Sequence, residues 1–363
     1  MSILTEHDVA RGLLNSEFFL YYQPKASLIT NCIVGAEALA RWRLPDGTVL
    51  PPAAFIPLAE RGTMISALTL QLWLKLAHDL VDKAMDSGIR VSFNVTAQDF
   101  EDSTLTDTIL HALSSGQLQP DSLELEITET QALQAGEHVL CQVQALTEAG
   151  IGLAMDDYGI GYSSMDTLSQ WPFTTIKLDQ GIVGRMLASS KNATIVRSSI
   201  RMGHELGLNV VAEGVESIEQ HDFLVEAGCK LVQGYLVSPP LPLEEFESFR
   251  KSIGTPHGMP IGLVHMAIID HIQWRRQMAS YAIQRTALPP DSPARTMPGH
   301  PQLCITRCAL GQWYYGVGCY FAHTQMYQDL AMPHHHLHAV GELIVDRVRN
   351  GATLPTSAPC STN

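Results

Sequence analysis

The sequence predicts a (β/α)₈ TIM-like barrel followed by a small all-α helical bundle. Between residues 19 and 238, short apolar runs rich in β-branched residues alternate about eight times with longer segments of helical period. This alternation favours a barrel of parallel strands over a doubly wound sheet. The chain of 363 residues has room for one barrel of about 250 residues and a smaller unit.

The elements follow one another along the barrel in a regular order. Helical period is found between several of the strand-like runs, for example at residues 64–83, 131–148 and 192–206. The strand-like runs themselves lie at residues 20–27, 33–39, 91–95, 123–128, 152–155, 175–178, 210–212 and 231–236.

The domain boundaries are expected around a short linker. Residues 1–254 form the predicted barrel, and the Gly- and Pro-containing stretch at 255–259 is the predicted linker. Residues 260–350 form the predicted bundle, in which residues 263–284 have helical period. The polar tail 351–363 has the composition of a disordered end.

Composition and charge limit the classes of function. A hydrophobic fraction of 45% and a charged fraction of 17% are typical of a well-packed globular protein. The formal net charge of −14, from 23 basic and 37 acidic residues, argues against binding of a nucleic-acid polymer. A small anionic ligand is still compatible with this charge, because bound divalent cations can reverse the local field.

The sequence predicts a cytoplasmic protein without a membrane span. The first eight residues lack the basic flank and apolar run of a signal peptide. No stretch approaches the roughly 18 uninterrupted apolar residues that a spanning helix needs. Seven cysteines, an odd number without framework spacing, suit a reducing compartment.

Acidic and amide residues stand at the ends of the predicted strands. Any one of them taken alone could be a solvated loop residue. In a barrel, however, the carboxyl ends of the strands build a single mouth, so the set is expected to converge there. Two of these residues are adjacent carboxylates, which repel each other unless cations lie between them. The set comprises Glu37, Asn94, Glu126, Asp156, Asp157 and Glu213.

A series of motifs, in order, resembles the EAL family of cyclic di-GMP phosphodiesterases over about two-thirds of the chain. The first segments are Tyr22-Gln23-Pro24, Glu37-Ala38-Leu39-Ala40-Arg41-Trp42 and the asparagine-bearing Ser92–Thr96. The later segments are Glu126-Ile127-Thr128-Glu129, the loop Asp156–Ser164, Ile176–Asp179, Ala212–Glu216 and Gln233–Leu236. The resemblance implies a barrel that converts cyclic di-GMP to pGpG.

The resemblance also implies a role for each matching position. Two Mg²⁺ or Mn²⁺ ions per active site would be held by Glu37, Asn94, Glu126, Asp156 and Asp157, with Asp156 between them. Lys177 would position the nucleophile and Glu213 would be its base. Phosphate or substrate contacts would come from Arg41, Gln23 and Gln233, and Glu129 and Glu216 would support the mobile loop.

The family also contains members that bind the dinucleotide without cutting it, so a catalytically silent receptor is the alternative. Every catalytic position is filled here, which favours the enzyme, and Glu37→Ala is expected to be inactive. The chain departs from the family pattern at Tyr158 and Ile160, where Phe and Thr are usual, and at Pro239, which is often basic.

The C-terminal region is rich in histidine. Pro333 is expected in the first turn of a helix that carries His334 and His338. The i, i+4 spacing places these two imidazoles on one face, as a zinc site requires. His335 and His336 compete on sequence alone, and a polar His-rich turn is the other interpretation.

Three segments around these histidines resemble the chemoreceptor zinc-binding (CZB) domain. They are Asp270–Trp274, Cys308–Trp313 and His334–His338. The resemblance implies one Zn²⁺ held by His271, Cys308, His334 and His338, with Cys304 as the rival thiolate. Such a closed ligand set without an open position is of the structural or sensory kind. We expect it to sense zinc, or an oxidant through Cys308, and to alter the activity of a homodimeric barrel.

Overall fold

In the computed structural model, nine strands form one sheet within the described residues, which are 4–82, 89–159, 165–253, 261–287 and 299–350. The predicted linker 255–259 and tail 351–363 lie outside these ranges. The strands are β1 (Phe18–Ser27), β2 (Ile33–Arg43), β3 (Val49–Leu50), β4 (Arg90–Asn94), β5 (Leu123–Thr128), β6 (Gly152–Tyr158), β7 (Thr175–Leu178), β8 (Asn209–Ala212) and β9 (Leu231–Gln233).

Eight of these strands close into a barrel, which confirms the predicted fold. The order around the ring is β1-β9-β8-β7-β6-β5-β4-β2, and pairing of β1 with β2 completes it. The strands from β4 to β9 run parallel to one another and to β2. The short β3 pairs with β2 outside the ring.

The first strand differs from a regular β/α repeat, because β1 is antiparallel to both β2 and β9. Only residues 28–32 join β1 to β2. Such a short connection can link antiparallel strands, whereas a parallel pair needs a crossover of a dozen or more residues. The hairpin turns through Asn31, which has a positive φ of 54°.

Helices surround the barrel and bury its outer face. The interior strand β5 is buried at nearly every position because helices cover parallel strands on the outside. The helices are α1 (Glu6–Leu14), α2 (Ile56–Arg61), α3 (Ile65–Asp82), α4 (Thr104–Ser114), α5 (Glu129–Gln134), α6 (Glu137–Glu148), α7 (Met165–Gln170), α8 (Gln180–Arg185), α9 (Ser190–Glu205), α10 (Ile218–Ala227) and α11 (Leu243–Ile253).

The predicted continuous helix at residues 131–148 is wrong, since α5 and α6 are two helices. Ala135 ends α5 in an extended conformation, with φ −69° and ψ 139°. Gly136 then stands at the N-cap of α6 in the β region. The helical spacing of apolar residues continues across the break between α5 and α6. Gly136 was the only sequence signal of that break, and a single glycine is a weak one.

The internal contacts divide the chain into two units, residues 1–257 and 258–363. The second unit contains α12 (Ile261–Thr286), α13 (Ala309–Tyr314) and α14 (Gln325–Arg349). The expectation that Pro333 begins a helix is wrong, because α14 begins eight residues earlier. Thr324 caps it by accepting a hydrogen bond from the Tyr327 backbone N–H.

Two helices of this unit approach closely at a glycine. A Cβ atom on Gly341 of α14 would lie 2.3 Å from the Trp274 ring of α12, so only glycine admits the indole there. The Trp274 indole N–H donates to the Gln302 carbonyl at 2.8 Å. None of the described helices combines the length and the hydropathy that crossing a bilayer would require.

Candidate functional site

One lysine lies at the centre of the barrel mouth. Lys177 of β7 is 1% exposed, and its ammonium group is surrounded by carboxylates from β2, β5, β6 and the residue after β8. The distances from Lys177 Nζ are 2.5 Å to Glu126 Oε2, 2.7 Å to Glu213 Oε1, 3.1 Å to Asp156 Oδ1 and 3.5 Å to Glu37 Oε2. The structure thus brings the predicted acidic residues of four strands together.

Amide side chains hold the Glu37 carboxylate. Asn94 Nδ2 donates to Glu37 Oε1 at 2.7 Å, and Gln233 Nε2 donates to Glu37 Oε2 at 2.6 Å. Gln233 Nε2 also lies 3.1 Å from Gln23 Oε1. Both glutamines therefore reach the predicted metal ligand Glu37, directly or through one another, and fix its orientation.

Negative charge exceeds positive charge in this cluster. Five buried or partly buried carboxylates, the four around Lys177 and that of Glu124, face two buried ammonium groups, those of Lys177 and Lys25. Burial disfavours the charge of Lys177, but the carboxylates outweigh it and hold the pKa of this lysine well above its ordinary value. Burial likewise opposes ionisation of Glu126, yet the two lysines lower the pKa of this carboxyl to about 2.

The other carboxyls show the opposite shift. Burial, reinforced by neighbouring carboxylates and only partly offset by Lys177, raises the pKa of Glu37 and of Asp156. The same causes raise the pKa of Glu213 to about 8. The cluster therefore has less positive than negative charge. Its potential metal ligands are carboxylate and amide oxygens, the set that Mg²⁺ and Mn²⁺ prefer. The residues present fit hard divalent cations.

A local distortion of β6 brings two consecutive carboxylates toward the mouth. Neighbouring residues of a regular strand point to opposite faces. The pairing of β6 with β7 is irregular between Met155 and Tyr158, and Asp157 has a φ of +57°. Such a φ is strained for an aspartate. Asp157 interacts electrostatically with the cluster. Burial and then Asp179 raise its pKa, while Lys177 lowers it.

The predicted loop anchor Glu129 contacts the start of the loop after β6. Its side chain is 2% exposed, and Oε2 accepts a hydrogen bond from the Gly159 backbone N–H at 3.4 Å. The rest of the loop, including Ile160, lies outside the described residues. Glu216 is exposed and lines the mouth, and its own N–H donates to Gln220.

Arg41, the predicted phosphate contact, lies near the C-terminal end of β2. It shares a strand face with Glu37, about 13 Å along the strand. Its guanidinium group donates to the Ala40 carbonyl at 2.8 Å and lies over the Tyr21 ring, 5.3 Å from the centroid. Any contact with a ligand at the carboxylates therefore requires a ligand that extends outward along β2. Pro239 is exposed.

Two cavities meet at Glu37. One, of about 240 Å³, is mainly polar and is lined by Asp156, Lys177 and Glu213 among others. The other, of about 410 Å³, is mainly apolar and runs between β2, β4 and α3, with Asn94 in its wall. The carboxylate cluster thus lies between a charged compartment and an apolar one.

Sequence reasoning missed a layer of buried polar residues beneath the site. It consists of Lys25, Ser92, Glu124 and Thr175, each at most 4% exposed. A signal was available, since Lys25 is two residues from Gln23 and Glu124 is two residues from Glu126. Residues two apart on a strand share a face, so both pairs point into the barrel.

In the second unit, four side chains form a compact cluster. One ligand atom from each of His271, Cys308, His334 and His338 lies within 4.8 Å of all the others. Cys308 Sγ is 3.0 Å from His334 Nε2. These are the four residues that the sequence predicted for zinc, and they come from α12, the N-cap of α13 and α14.

The neutral form of His334 and the orientation of His338 fit zinc. Burial, and then His338 and His271, lowers the pKa of His334 to about 4, so its imidazole is neutral at pH 7. Leu303 O lies 2.8 Å from His338 Nδ1, which leaves Nε2 facing the cluster. Within the described part of the chain, this buried Nε2 atom has no hydrogen-bond partner. A metal would satisfy it.

The rival residues lie outside the cluster. Cys304 is exposed, and its Sγ is 3.2 Å from Thr306 Oγ1. His335 and His336 are exposed on α14. Of the neighbouring histidines on this helix, His334 and His338, which are four residues apart, join His271 of α12 in the cluster, and this decides between the alternatives that spacing left open.

Comparison with known protein families gives two matches. Residues 6–240 match the model of the EAL domain, and residues 271–345 match the model of the chemoreceptor zinc-binding domain. Together the matches cover both units of the chain.

Similar proteins and solved structures agree with the first match. Cyclic di-GMP phosphodiesterase RocR of Pseudomonas aeruginosa is 40% identical over 240 residues, which are 66% of this chain and 61% of RocR. Bifunctional diguanylate cyclase/cyclic di-GMP phosphodiesterase MucR of the same organism is 32% identical over 249 residues, 66% of this chain and 35% of MucR. The chain thus spans less than two thirds of either relative.

Among solved structures, the PaMucR phosphodiesterase in complex with c-di-GMP superposes with a TM-score of 0.61 at 33% identity, covering 66% of this chain and 98% of that one. The EAL enzyme Bd1971 in its cAMP- and cyclic-di-GMP-bound form gives a TM-score of 0.63 at 28% identity, covering 68% of each chain.

Proposed function

Because the chain belongs to the EAL domain family, we propose that its barrel hydrolyses cyclic di-GMP to linear pGpG. The observation that carries the proposal is the convergence of Glu37, Glu126, Asp156 and Glu213 on Lys177 at the barrel mouth. RocR, which is named a cyclic di-GMP phosphodiesterase, supports the choice of substrate.

Two hard cations, Mg²⁺ or Mn²⁺, complete this site in the proposal. Asp156 would serve both cation positions, and Asp157 would complete the second. When bound, such a pair activates water at neutral pH and offsets the charge of a phosphodiester. It would also balance the excess of carboxylates over ammonium groups, which adds to burial in raising the pKa of Glu37. The first position is held by Glu37, Asn94, Glu126 and Asp156.

The chain's own residues orient the reactants. Lys177 donates to Glu126 and to Glu213 and holds both carboxylates in place. It thereby fixes the position of the attacking water between these groups. Glu213, beside Lys177, would accept the proton of that water, because the charge of the bound cations lowers its pKa from about 8 and leaves it ionised. Gln23 and Gln233 keep Glu37 in place. Arg41, farther along β2, contacts the outer phosphate of the ligand.

The two cavities at Glu37 suit a ligand with two nucleosides. Cyclic di-GMP carries a guanosine on each side of the scissile phosphodiester. With that bond at the carboxylates, one guanine occupies the apolar cavity of about 410 Å³ and the other lies along the polar cavity. Hydrolysis of one of the two phosphodiesters opens the ring and leaves pGpG.

The helical unit in this proposal binds one Zn²⁺ through His271, Cys308, His334 and His338. A thiolate and three imidazoles fill a tetrahedral shell without an open position, which is the form of a structural or sensory site. We propose that zinc binding at this unit, or oxidation of Cys308, alters phosphodiesterase activity in a homodimer.

A turnover assay tests the barrel. The full chain is incubated with cyclic di-GMP and Mg²⁺, and pGpG is resolved by chromatography. Accumulation of pGpG that stops when Mg²⁺ is chelated supports the proposal. Tight binding of cyclic di-GMP without any pGpG would instead identify a silent receptor. Glu17→Gln, which changes a carboxylate at the opposite end of β1 from the site, is the matched control for Glu37→Gln.

A further inference from the structure

We propose that Lys25 is a positioning residue of the active site, which holds the carboxylate of Glu126 toward the cation position and so sets the affinity of the barrel for its divalent cation. The inference rests on the proposed phosphodiesterase function. It concerns a residue outside the set of site residues that the motifs predicted.

The first observation is that two lysines share one carboxylate. Lys25 Nζ is 2.8 Å from Glu126 Oε1, and Lys177 Nζ is 2.5 Å from Glu126 Oε2. Each oxygen therefore has its own ammonium donor, and the plane of the carboxylate is fixed from two sides. Lys177 alone would leave Glu126 free to turn about a single hydrogen bond, whereas two donors define one orientation.

The second observation is that Lys25 is itself held in place. Its side chain is 5% exposed, and Nζ donates to Ser92 Oγ and lies 3.7 Å from Glu124 Oε2. Ser92 Oγ donates to Glu124 Oε2 at 2.9 Å, and Thr175 Oγ1 donates to Glu124 Oε1 at 2.6 Å. These four residues, the support layer, join β1, β4, β5 and β7 beneath the carboxylates.

The geometry of Lys25 matters more than its charge. Lys25 and Glu124 form an ion pair, so their opposite charges largely cancel when felt from the cation position. What remains specific to Lys25 is its N–H···O bond to Glu126. Partners that orient a metal ligand in this way typically contribute about 10- to 100-fold to metal affinity or activity.

The test removes Lys25 without leaving a buried charge. Lys25→Met alone would strand the Glu124 carboxylate, so Lys25→Met and Glu124→Gln are combined in one variant. Mn²⁺ affinity is measured by titration calorimetry on the folded full chain, and kcat and KM are measured with cyclic di-GMP. We expect about 10- to 100-fold weaker Mn²⁺ binding and a lower kcat at fixed Mn²⁺, with KM little changed.

Thr106→Val is the matched control, since it changes another buried threonine, on α4, that lies outside the support layer. We expect it to bind Mn²⁺ with the parental affinity. Parental Mn²⁺ affinity in the Lys25 variant would overturn the inference. Equal weakening in Thr106→Val would overturn it too, because a change at any buried polar residue would then weaken Mn²⁺ binding. A parent chain that binds Mn²⁺ but yields no pGpG would refute the proposed function instead, and Mn²⁺ affinity would still decide the role of Lys25.

Discussion

Asn94 donates to Glu37 Oε1 at 2.7 Å, which joins the last residue of β4 to the middle of the neighbouring β2. The bond ties a neutral amide to a carboxylate that already receives the Gln233 amide on its other oxygen. Both Glu37 oxygens thus accept a hydrogen bond from a neutral amide, and each retains lone-pair capacity for a further partner.

Asn94→Leu is expected to raise the Mg²⁺ concentration for half-maximal turnover by about 10- to 100-fold, because it removes an amide oxygen donor and the group that orients Glu37. Turnover measured across a Mg²⁺ titration checks this. Asn15→Leu, an exposed amide at the end of α1, is the control. A half-activation concentration equal to that of the parent would remove Asn94 from the cation site.

Lys177→Met is expected to abolish turnover and to lower the free energy of unfolding by about 3–5 kcal/mol without divalent cations, since it leaves several buried carboxylates without their ammonium partner. Mg²⁺ can replace that missing charge. Thermal unfolding with and without Mg²⁺ is the measurement, and the stabilisation by Mg²⁺ should be larger in the variant than in the parent. Equal stabilisation would place the cations away from Lys177.

Ala53→Trp is expected to raise KM for cyclic di-GMP about tenfold with little change in kcat. Ala53 lies in the wall of the apolar cavity, so an indole there takes up space needed for a guanine without contacting the carboxylates. Steady-state kinetics separate the two parameters. A fall in kcat at unchanged KM would mean that this cavity holds no part of the ligand.

Zinc content should fall from about one per chain to near zero in His338→Ala, because the cluster then lacks one of four ligands. Elemental analysis of the full chain after dialysis checks this. His335→Ala, which changes an exposed imidazole on the same helix, should keep its zinc. Turnover of both variants with and without added zinc then shows whether the metal regulates the barrel. Retention of zinc by His338→Ala would reassign the ligand.

Gly341→Ala is expected to lower the thermal midpoint of the helical unit, with a cost of about 1–3 kcal/mol, since its Cβ would lie 2.3 Å from the Trp274 ring. Gly184→Ala is the contrasting case. A Cβ on Gly184, also in a helix, meets nothing within 4 Å, so alanine should stabilise its helix slightly. Calorimetric unfolding of the two variants distinguishes a packing effect from helix propensity.

Much of the fold followed from period and motif order. Alternating apolar runs predicted the barrel because each parallel strand is buried on both faces and bounded by turns. The antiparallel start was not predicted, since the pattern of β1 is the same in either direction. Its signal was the length of the connection, too short at residues 28–32 for a crossover.

The site residues that belong to a motif were predictable from the sequence. The buried charged residue Lys25, which the motifs did not mark as a site residue, was not. Lys25 in a strand usually indicates a solvent-facing position. Only the contacts of Lys25 with Glu126 and Glu124 explain its burial. Likewise, i, i+4 spacing made His334 and His338 candidate partners but left His335 and His336 open. The true start of α14 depended on the Thr324 cap, which Pro333 obscured.

The antiparallel hairpin of β1 and β2 fixes which side chains of β1 point into the barrel. Strand pairing sets Gln23 opposite Glu37, and side chains alternate along β1. Lengthening or shortening the bend at Asn31 by one residue would shift that alignment and turn both Gln23 and Lys25 outward. The length of a surface bend, of a kind that ordinarily tolerates insertions, is therefore tied to the alignment of side chains at the carboxylate cluster.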